Sequence, residues 1–409
     1  MLRAGASLAV VLPRSAFSAK GSARFRRWLF DECTVRRLDF LLNRGRWAFN
    51  AEERYTVALL VAQATRPPAG HEIEVAGVAR SAADFARQSR NSGMALSASV
   101  RGPELELPLL PSTDAMDVLR KVRRGTPFPF GSGGRWSCFS VRELDETQDN
   151  QLWRDATEGW PLWKGESYER YAPLGRAVRL CPTTPDVMRT VLKVRPGAGS
   201  ALTETTNVED RREAVAREVG DVRLSYRRVT RGTDSRTIIA CLLPPQVFVA
   251  YTGPYLAFVE GGVRERSACL GIMNSLPFDW QARRYVELSL SMTTLESFRL
   301  PDLDNDVCEQ VSQAASRLSC VDDRYAEYAA DAGVDYGPLD VEERERLLVE
   351  VDALVGRAWG LTSDDLDVIF ADFTLAAVPE AYRERLRVRL EELTLEAEPR
   401  MAPPIGQRP

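Results

Sequence analysis

A cluster of arginines near the middle of the chain has the clearest chemical meaning. Residues 221–236 contain five arginines against two aspartates, so the segment carries a local charge of +3. Guanidinium groups bind phosphates through paired hydrogen bonds, and such contacts dominate the affinity of proteins for nucleic acids. The cluster therefore predicts contact with a nucleic acid, unless its arginines instead form ion pairs inside the fold. The predicted contact residues are Arg223, Arg227, Arg228, Arg231, Arg236 and the adjacent Thr237.

The sequence RLSYRRVT, residues 223–230, predicts a strand that carries several of these side chains. Successive side chains of a strand point to opposite faces of the sheet, so the alternation predicts arginines on both faces. One face would hold Arg223, Ser225, Arg227 and Val229. The other face would hold Leu224, Tyr226, Arg228 and Thr230.

A second segment combines a cation, a flexible backbone position and aromatic rings: Trp163, Lys164, Gly165 and Tyr168. Aromatic rings stack on nucleic-acid bases, and cations beside them contact the backbone. We expect these four residues to contact the backbone or stack on the bases of a nucleic acid; the open alternative is that the two aromatic residues belong to a core. Residues that are expected to fix the local fold instead are Asn274, Ser275 and Trp280.

Metal chemistry and histidine-dependent catalysis are not supported by the residue types. The chain has one histidine, His71, and seven scattered cysteines without a CxxC pair. A zinc site needs clustered cysteine and histidine ligands at short spacing. We therefore predict no metal site, and reduced thiols in a cytoplasmic protein.

The net charge of −4 conceals a gradient along the chain. Residues 1–48 hold ten basic against three acidic residues, whereas residues 340–398 hold seven arginines against sixteen acidic residues. Such asymmetry is typical of a nucleic-acid face at one end and a solvated acidic face at the other. No stretch approaches the roughly 20 apolar residues that span a bilayer, so we predict no membrane association.

Apolar runs near the start predict the edge of an α/β sheet. LAVVL (8–12) is continuously apolar, the pattern of a strand covered on both faces. Residues 35–43 and 54–63 predict two further strands, and Ser22 is expected to cap a helix through Cys33. A chain that starts on a covered strand is expected to lack the first half of its sheet.

The rest of the chain predicts a mixed domain followed by helices. Between 135 and 300, short apolar runs alternate with turn residues, and the clearest strands are 237–243, 246–253 and 256–260. From Asp304 onward the pattern is helical. Residues 345–359 place apolar side chains on one helical face, and Gly360 is expected to end that helix.

Eight segments, taken in order, resemble the C-terminal half of large adenine-specific DNA methyltransferases of restriction and phage-defence systems, of the type IIG-like kind with a TaqI-like specificity region. Two precede the specificity region, five lie within it and one resembles the closing helical segment of that family. They are LRAGASLAVVLPRSAFSAKGSARFRRWLF (2–30), RWAFNAEERYTVALLVA (46–62), ELDETQDNQLW (143–153), PLWKGESYERY (161–171), RLSYRRVTRGTDSRTIIACLLPP (223–245), GIMNSLPFDWQARR (271–284), FRLPDLD (298–304) and EVDALVGRAWGLTSDDLDVIFADF (350–373).

The resemblance implies methylation of adenine N6 from S-adenosylmethionine, on a base flipped out of the duplex. That chemistry needs a Gly-rich cofactor turn and an (Asn/Asp)-Pro-Pro-(Tyr/Phe) loop, and this sequence has neither. No catalytic or cofactor-binding residue is therefore carried over, and we expect the isolated chain to be inactive. The implied partners are double-stranded DNA and an N-terminal methyltransferase half or other defence-system subunits.

We predict an α/β chain in five parts, with two alternatives to a partial methyltransferase. The chain is alternatively a stand-alone DNA-binding module without catalysis, or an interaction scaffold of a defence complex. The predicted parts are the distal edge of a Rossmann-like methyltransferase sheet (1–66), a connecting region (67–142), a mixed α/β target-recognition domain (143–303), a helical C-terminal segment (304–398) and a disordered tail (399–409).

Overall fold

Four β-sheets and a helical C-terminal part form the structure, a computed structural model that describes residues 3–397 except 52, 54, 89–93, 97–104, 132–134, 176–178 and 194–206. The predicted α/β class is confirmed. The predicted tail, 399–409, lies outside the described residues.

The N-terminal sheet has five strands, which are β1 (Ser7–Pro13), β2 (Thr34–Leu42), β3 (Thr56–Gln63), β4 (Ile73–Ala79) and β5 (Met94–Leu96). Their spatial order is β1-β3-β2-β4-β5. Strand β3 runs antiparallel to both of its neighbours, and β2 runs parallel to β4. Strands β1, β2 and β4 therefore run in the same direction and end at the same edge of the sheet.

One face of this sheet is covered by two short helices, α1 (Ser15–Ser18) and α2 (Ala23–Glu32). Phe17 of α1 and Leu29 of α2 are fully buried in the same cluster as side chains of β2 and β3. A third helix, α3 (Ala82–Gln88), follows β4. The strands and helix that the sequence predicts before residue 64 are all present, although the Ser22 side chain makes no capping hydrogen bond.

Strand β1 corrects one expectation. The continuous apolar run predicts a strand covered on both faces, but β1 lies at the edge of its sheet with alternating exposed and half-buried residues. Val11 of β1 is 52% exposed, and Val61 of the neighbouring β3 is 39% exposed. Within the described residues, the face of this sheet opposite α1 and α2 thus leaves apolar side chains in contact with solvent.

The central region contains the other three sheets. An antiparallel sheet has the order β11-β10-β13-β7, a second has the order β12-β8-β9, and the third pairs β14 with β6. The strands are β6 (Thr126–Pro127), β7 (Ser137–Val141), β8 (Trp160–Trp163), β9 (Arg179–Cys181), β10 (Arg223–Tyr226), β11 (Ala240–Leu243), β12 (Phe248–Val249), β13 (Tyr255–Glu260) and β14 (Arg299–Leu300).

Strand β10 corrects a second expectation. The predicted strand over 223–230 ends after Tyr226, and all four of its residues are buried. It is an inner strand, and each face packs on a different hydrophobic cluster: Leu224 and Tyr226 on one side, Ser225 towards Tyr255 and Tyr168 on the other. The predicted strand is therefore too long, and of its three arginines only Arg223 lies on β10, which has no exposed face.

Helices dominate the chain after residue 260, as the sequence predicts from Asp304 onward. Gly360, with a φ of +67°, follows the long helix that ends at Ala358, and the Thr362 side chain caps the next helix. The remaining helices in chain order are α4 (Asp114–Arg123), α5 (Pro185–Val191), α6 (Val208–Glu218), α7 (Val263–Asn274), α8 (Leu276–Arg283), α9 (Met292–Glu296), α10 (Asn305–Ser319), α11 (Ala326–Asp331), α12 (Val341–Ala358), α13 (Ser363–Phe370) and α14 (Glu380–Ala397).

Candidate nucleic-acid interface

A cleft of about 530 Å³ lies where the N-terminal sheet, the loop after β10 and the segment after α13 meet. Its volume is within the range of ligand-binding sites in proteins. Six arginines and three acidic residues line it, which gives the wall a net charge of +3. The arginines are Arg14, Arg44, Arg80, Arg231, Arg283 and Arg284.

The topology of the N-terminal sheet explains why three of these arginines converge. Arg14 directly follows β1, Arg44 comes two residues after β2, and Arg80 directly follows β4. Because the three strands run in the same direction, their carboxyl ends meet at one edge of the sheet. In α/β sheets this edge is where ligands bind.

The floor of the cleft is a network of buried arginines. The Arg14 guanidinium donates to the backbone carbonyl of Arg284 at 2.6 Å, and Arg284 in turn forms an ion pair with Asp372. Burial lowers the pKa of Arg14 to about 10, and nearby Glu287 opposes that shift. Arg14 therefore keeps its charge at neutral pH, and the floor is both rigid and positive.

Arg283 fastens the loop that forms one wall. Its guanidinium donates to the carbonyl oxygens of Gly232 (3.0 Å), Asp234 (2.6 Å) and Ser235 (3.1 Å), and it also pairs with Asp279. These bonds satisfy carbonyl groups that a loop cannot satisfy by itself. The loop is thereby held in one position over the cleft.

The rim of the cleft carries the arginines that solvent can reach. Arg44, Arg80 and Arg231 are exposed. The guanidinium of Arg80 stands 4.0 Å from Asp372, whereas no ion pair to Arg44 or Arg231 is found within the described part of the chain. The rim therefore presents cations that are available to a polyanion.

The sequence-predicted residue Arg223 lies elsewhere, inside the fold. It is fully buried, pairs with the fully buried Glu143 and also donates to the carbonyl of Val247. Burial raises the pKa of Glu143, and the Arg223 charge acts against that rise. In this arrangement the Arg223 guanidinium joins β10 to the loop before β12 and is not in contact with solvent.

Arg227 holds the second predicted segment against the first. Its guanidinium donates to the carbonyl oxygens of Gly165 and Tyr168, both at 2.7 Å. Tyr168 is buried, and its hydroxyl shares a 2.9 Å hydrogen bond with Ser225. Trp163 is buried in the same hydrophobic cluster as Tyr168. The structure therefore places both aromatic residues in a core, which is the alternative that the sequence left open.

Gly165 and Lys164 complete that segment. A Cβ on Gly165 would stand 2.6 Å from the carbonyl oxygen of Thr252 and 2.9 Å from the Arg227 side chain, so only glycine allows this approach. The side chain of Lys164 is 27% exposed and forms an ion pair with Glu146. Of the four residues of this segment, Lys164 is the one that presents a charge to solvent.

Arg236 and Thr237 are bound to the start of helix α8. Arg236 pairs with Asp279 at 3.2 Å and donates to the carbonyl of Asn274 at 2.6 Å. The backbone N–H of Thr237 donates to the same Asp279 carboxylate at 2.8 Å. The Asn274 side chain bonds both backbone groups of Ala240, and it fixes the local fold as the sequence predicts.

Besides Lys164, two predicted arginines remain accessible for binding. Arg231 lines the cleft, and Arg228 is half-buried at the surface with its guanidinium over the ring of Tyr251. The DNA-binding role of the predicted set stays a prediction; the geometry divides it into accessible cations and residues that are committed to the fold. Sequence reasoning missed the cleft arginines outside the central cluster, which are Arg14, Arg44, Arg80, Arg283 and Arg284.

Three of the missed arginines share one sequence signal, which is their position just after an apolar strand. Arg14 and Arg80 each follow an apolar strand directly, and Arg44 follows another after one residue. Recognising that these strands are parallel to one another requires their spatial order, which local patterns do not contain. The signal is therefore readable only after the sheet order is known.

S-adenosylmethionine, the cofactor that the resemblance implies, does not fit the residues that the structure describes. Its binding turn needs glycines between a strand and a helix, but β1 is joined to α1 by Arg14 alone, and β4 to α3 by Arg80 and Ser81. The cleft carries a net positive charge, which disfavours a ligand with a sulfonium cation. No group of metal-ligating side chains and no membrane-spanning helix occurs within these residues either.

Comparisons with known proteins give only distant likenesses. No protein-family model and no curated protein matches the chain. Among solved structures the chain is similar to the type IIL restriction-modification enzyme MmeI in complex with DNA, with a TM-score of 0.45 and 9% identity over 95% of this chain and 49% of that one. It is also similar to the type IIG restriction endonuclease BpuSI, with a TM-score of 0.32 and 11% identity over 91% and 48%. The chain spans about half the length of these enzymes.

Proposed function

We propose that the chain is the DNA-recognition part of an adenine-specific DNA methyltransferase of a restriction-modification or phage-defence system, and that duplex DNA binds at the arginine-lined cleft. The proposal rests on one observation: three parallel strands are followed by arginines at one edge of the N-terminal sheet, and Arg231 of the central region lines the same cleft. A wall with a net charge of +3 attracts the phosphate backbone. The sequence motifs supply the class of enzyme.

In this proposal the two groups of cleft arginines have different tasks. The exposed Arg44, Arg80 and Arg231 neutralise phosphates, and the release of condensed counterions makes binding dependent on salt. The buried Arg14 and Arg283 hold the wall and the loop in place, so little ordering entropy is lost when DNA arrives. Sequence preference would come from side chains at the tip of the loop after β10.

The methyl-transfer chemistry is proposed to reside on another segment or subunit. The described residues offer no fitting cofactor turn, and the sequence lacks the adenine-binding loop. Strand β1 supports this division: among the described residues no strand pairs with its outer edge, and another strand can join an apolar edge strand with an exposed Val11 there. S-adenosylmethionine would then bind to that added part.

The test of DNA binding uses fluorescence anisotropy with a labelled duplex at several salt concentrations from about 50 to about 200 mM. The variant replaces Arg44 and Arg231 by alanine. The matched control replaces Arg189 and Arg212, which carry the same charge but pair with acids of their own helices at the surface. Because each neutralised phosphate adds about 0.9 to the slope of log K against log salt, we expect that slope to become shallower by about 2 in the cleft variant alone.

Two outcomes would remove the proposal. The first is a parent chain that does not bind duplex DNA or binds it without salt dependence. The second is a cleft variant that binds as the control does. A separate assay with radiolabelled S-adenosylmethionine checks the division of labour, since methyl transfer to DNA by the purified chain contradicts it.

A further inference from the structure

Two arginines from distant parts of the sequence share one aromatic ring at the surface of the central region. The guanidinium carbon of Arg228 lies 3.8 Å from the ring centroid of Tyr251, and that of Arg142 lies 4.9 Å from it. Both distances are within the range of cation–π contacts. Tyr251 and Arg142 carry no role in the binding site described above, and neither belongs to the arginine cluster of the sequence.

The surrounding backbone positions Arg142, Tyr251 and Arg228. Arg142 directly follows β7, whose residues are all buried. The backbone N–H of Arg228 donates to the carbonyl of Thr252 at 3.0 Å, and its own carbonyl accepts from Leu290 at 2.7 Å. Tyr251 lies in the turn closed by a 2.9 Å hydrogen bond from Gly253 to Ala250. Sheet, turn and loop thus hold both cations at fixed positions.

The local charge balance leaves the two cations under-compensated. In the part of the chain that the structure describes, no carboxylate forms an ion pair with Arg228. Arg142 pairs with Asp145 only at 3.9 Å, and that carboxylate also accepts from the backbone N–H groups of Thr147 and Gln148. Burial lowers the pKa of Arg228, Tyr226 acts against that shift, and the neighbouring Arg142 charge lowers the pKa further. Two guanidinium groups against one ring, of which only Arg142 has a carboxylate partner, form an arrangement that a phosphate stabilises.

We propose that the Arg142–Tyr251–Arg228 stack binds a backbone phosphate of double-stranded DNA, as a second anchoring point beside the cleft. The inference rests on the proposed function. Arg228 precedes the cleft residue Arg231 by three residues, which span at most about 11 Å of extended chain. That distance corresponds to about three steps of a duplex at about 3.4 Å each. One duplex therefore reaches both sites.

The experiment measures DNA affinity by anisotropy as a function of salt for the full chain. The test variant is Arg142→Ala with Arg228→Ala. The control is Arg189→Ala with Arg212→Ala, which removes an equal charge from exposed helical ion pairs. We expect the salt slope of the test variant to be shallower by about 1 and its affinity at low salt to fall about tenfold, with the control unchanged.

A second pair of variants tests the ring. Tyr251→Phe keeps the aromatic face and should bind as the parent does, whereas Tyr251→Leu removes it and should bind DNA more weakly. Circular dichroism and thermal unfolding establish that each variant is folded, and the salt slope is compared only among those with the parent's melting temperature. If Tyr251→Leu fails to fold, the arginine pair still decides the result.

The outcomes separate this inference from the proposed function. A parent that binds DNA and loses affinity in the cleft variant, but not in the Arg142–Arg228 variant, overturns the stack and leaves the cleft intact. A parent without DNA binding removes both. Exchange of chloride for phosphate at constant ionic strength should weaken DNA binding more in the parent than in the double variant, because free phosphate competes for the same stack. Phosphate binding by the parent alone, with equal DNA affinity in the parent and the double variant, would identify a free phosphate ion as the ligand instead.

Discussion

Replacement of Arg223 by methionine tests whether this residue acts inside the fold. The two side chains of the Arg223–Glu143 pair are both 0% exposed, so neither can regain water when its partner is removed. Removing one partner of a buried ion pair costs about 3–5 kcal/mol, because the remaining charge is uncompensated. The Val249 N–H still donates to Glu143 at 2.7 Å, which limits the destabilisation. We expect the free energy of unfolding to fall by about 3–5 kcal/mol.

The effect has a defined dependence on pH. Burial already raises the pKa of Glu143 above its ordinary value of 4.5, and the Arg223 charge opposes that rise. Without the guanidinium, the pKa of Glu143 rises further. A carboxyl group with a raised pKa in the folded state stabilises the fold below its unfolded pKa, and that stabilisation is lost as the pH rises through the folded pKa. The deficit of Arg223→Met should therefore be larger at about pH 8 than at about pH 5.5.

Urea denaturation followed by tryptophan fluorescence measures the deficit, since the chain has eight tryptophans. The control is Arg189→Met, whose ion pair has both side chains about 70% exposed and should contribute less than about 1 kcal/mol. Adding Glu143→Gln to Arg223→Met removes the unpaired charge and should recover part of the stability. A variant as stable as the parent, a deficit that shrinks as the pH rises, or weaker DNA binding at unchanged stability would refute the structural role.

Three further changes probe the supports of the proposed interface. Gly165→Ala should lower stability by about 1–3 kcal/mol in thermal unfolding, because its Cβ would stand 2.6 Å from a carbonyl oxygen, whereas Gly21→Ala, with nothing within 4 Å, should be neutral. Asn274→Ala removes both side-chain hydrogen bonds to β11 and should cost about 1–3 kcal/mol in urea. Asp279→Ala frees the loop after β10, so trypsin should cut after Arg231 faster than in the parent; unchanged cleavage would contradict that support.

Local sequence patterns predict most of the strands and helices, but they do not predict which elements pack beside them. Apolar runs predict strands at β1, β2 and β3, and Gly360 marks a helix end where the structure has one. The same patterns misjudged coverage. A run of five apolar residues was expected to be buried on both faces, yet β1 is an edge strand, because coverage depends on which elements pack beside it.

The candidate site was predictable only in part. Composition locates the arginines of 221–236, but whether each one reaches solvent depends on partners far along the sequence. Arg223 meets Glu143, eighty residues away, and Arg236 meets Asp279. Arg231 follows the point where β10 has ended, and it reaches the cleft. A cluster of charged residues in the sequence indicates a binding surface. Ion pairs with residues far along the chain then determine which of those side chains remain accessible at that surface.

The loop from Arg231 to Ser235 is fastened at its base and exposed at its tip. Thr230 and Thr237 are joined across the base by a 2.7 Å hydrogen bond, and the Arg283 guanidinium holds the backbone carbonyls from below. Because these bonds involve backbone atoms and residues outside the tip, the exposed side chains of Thr233 and Ser235 can change without loss of any of them. Asp234 and Gly232 are constrained, since the Asp234 carboxylate accepts from the Arg231 N–H at 3.0 Å and a Cβ on Gly232 would stand 3.0 Å from the Val286 carbonyl oxygen. On the proposed function, such a segment would act as an exchangeable cassette: variation at these positions would alter what the loop contacts while the scaffold stays the same.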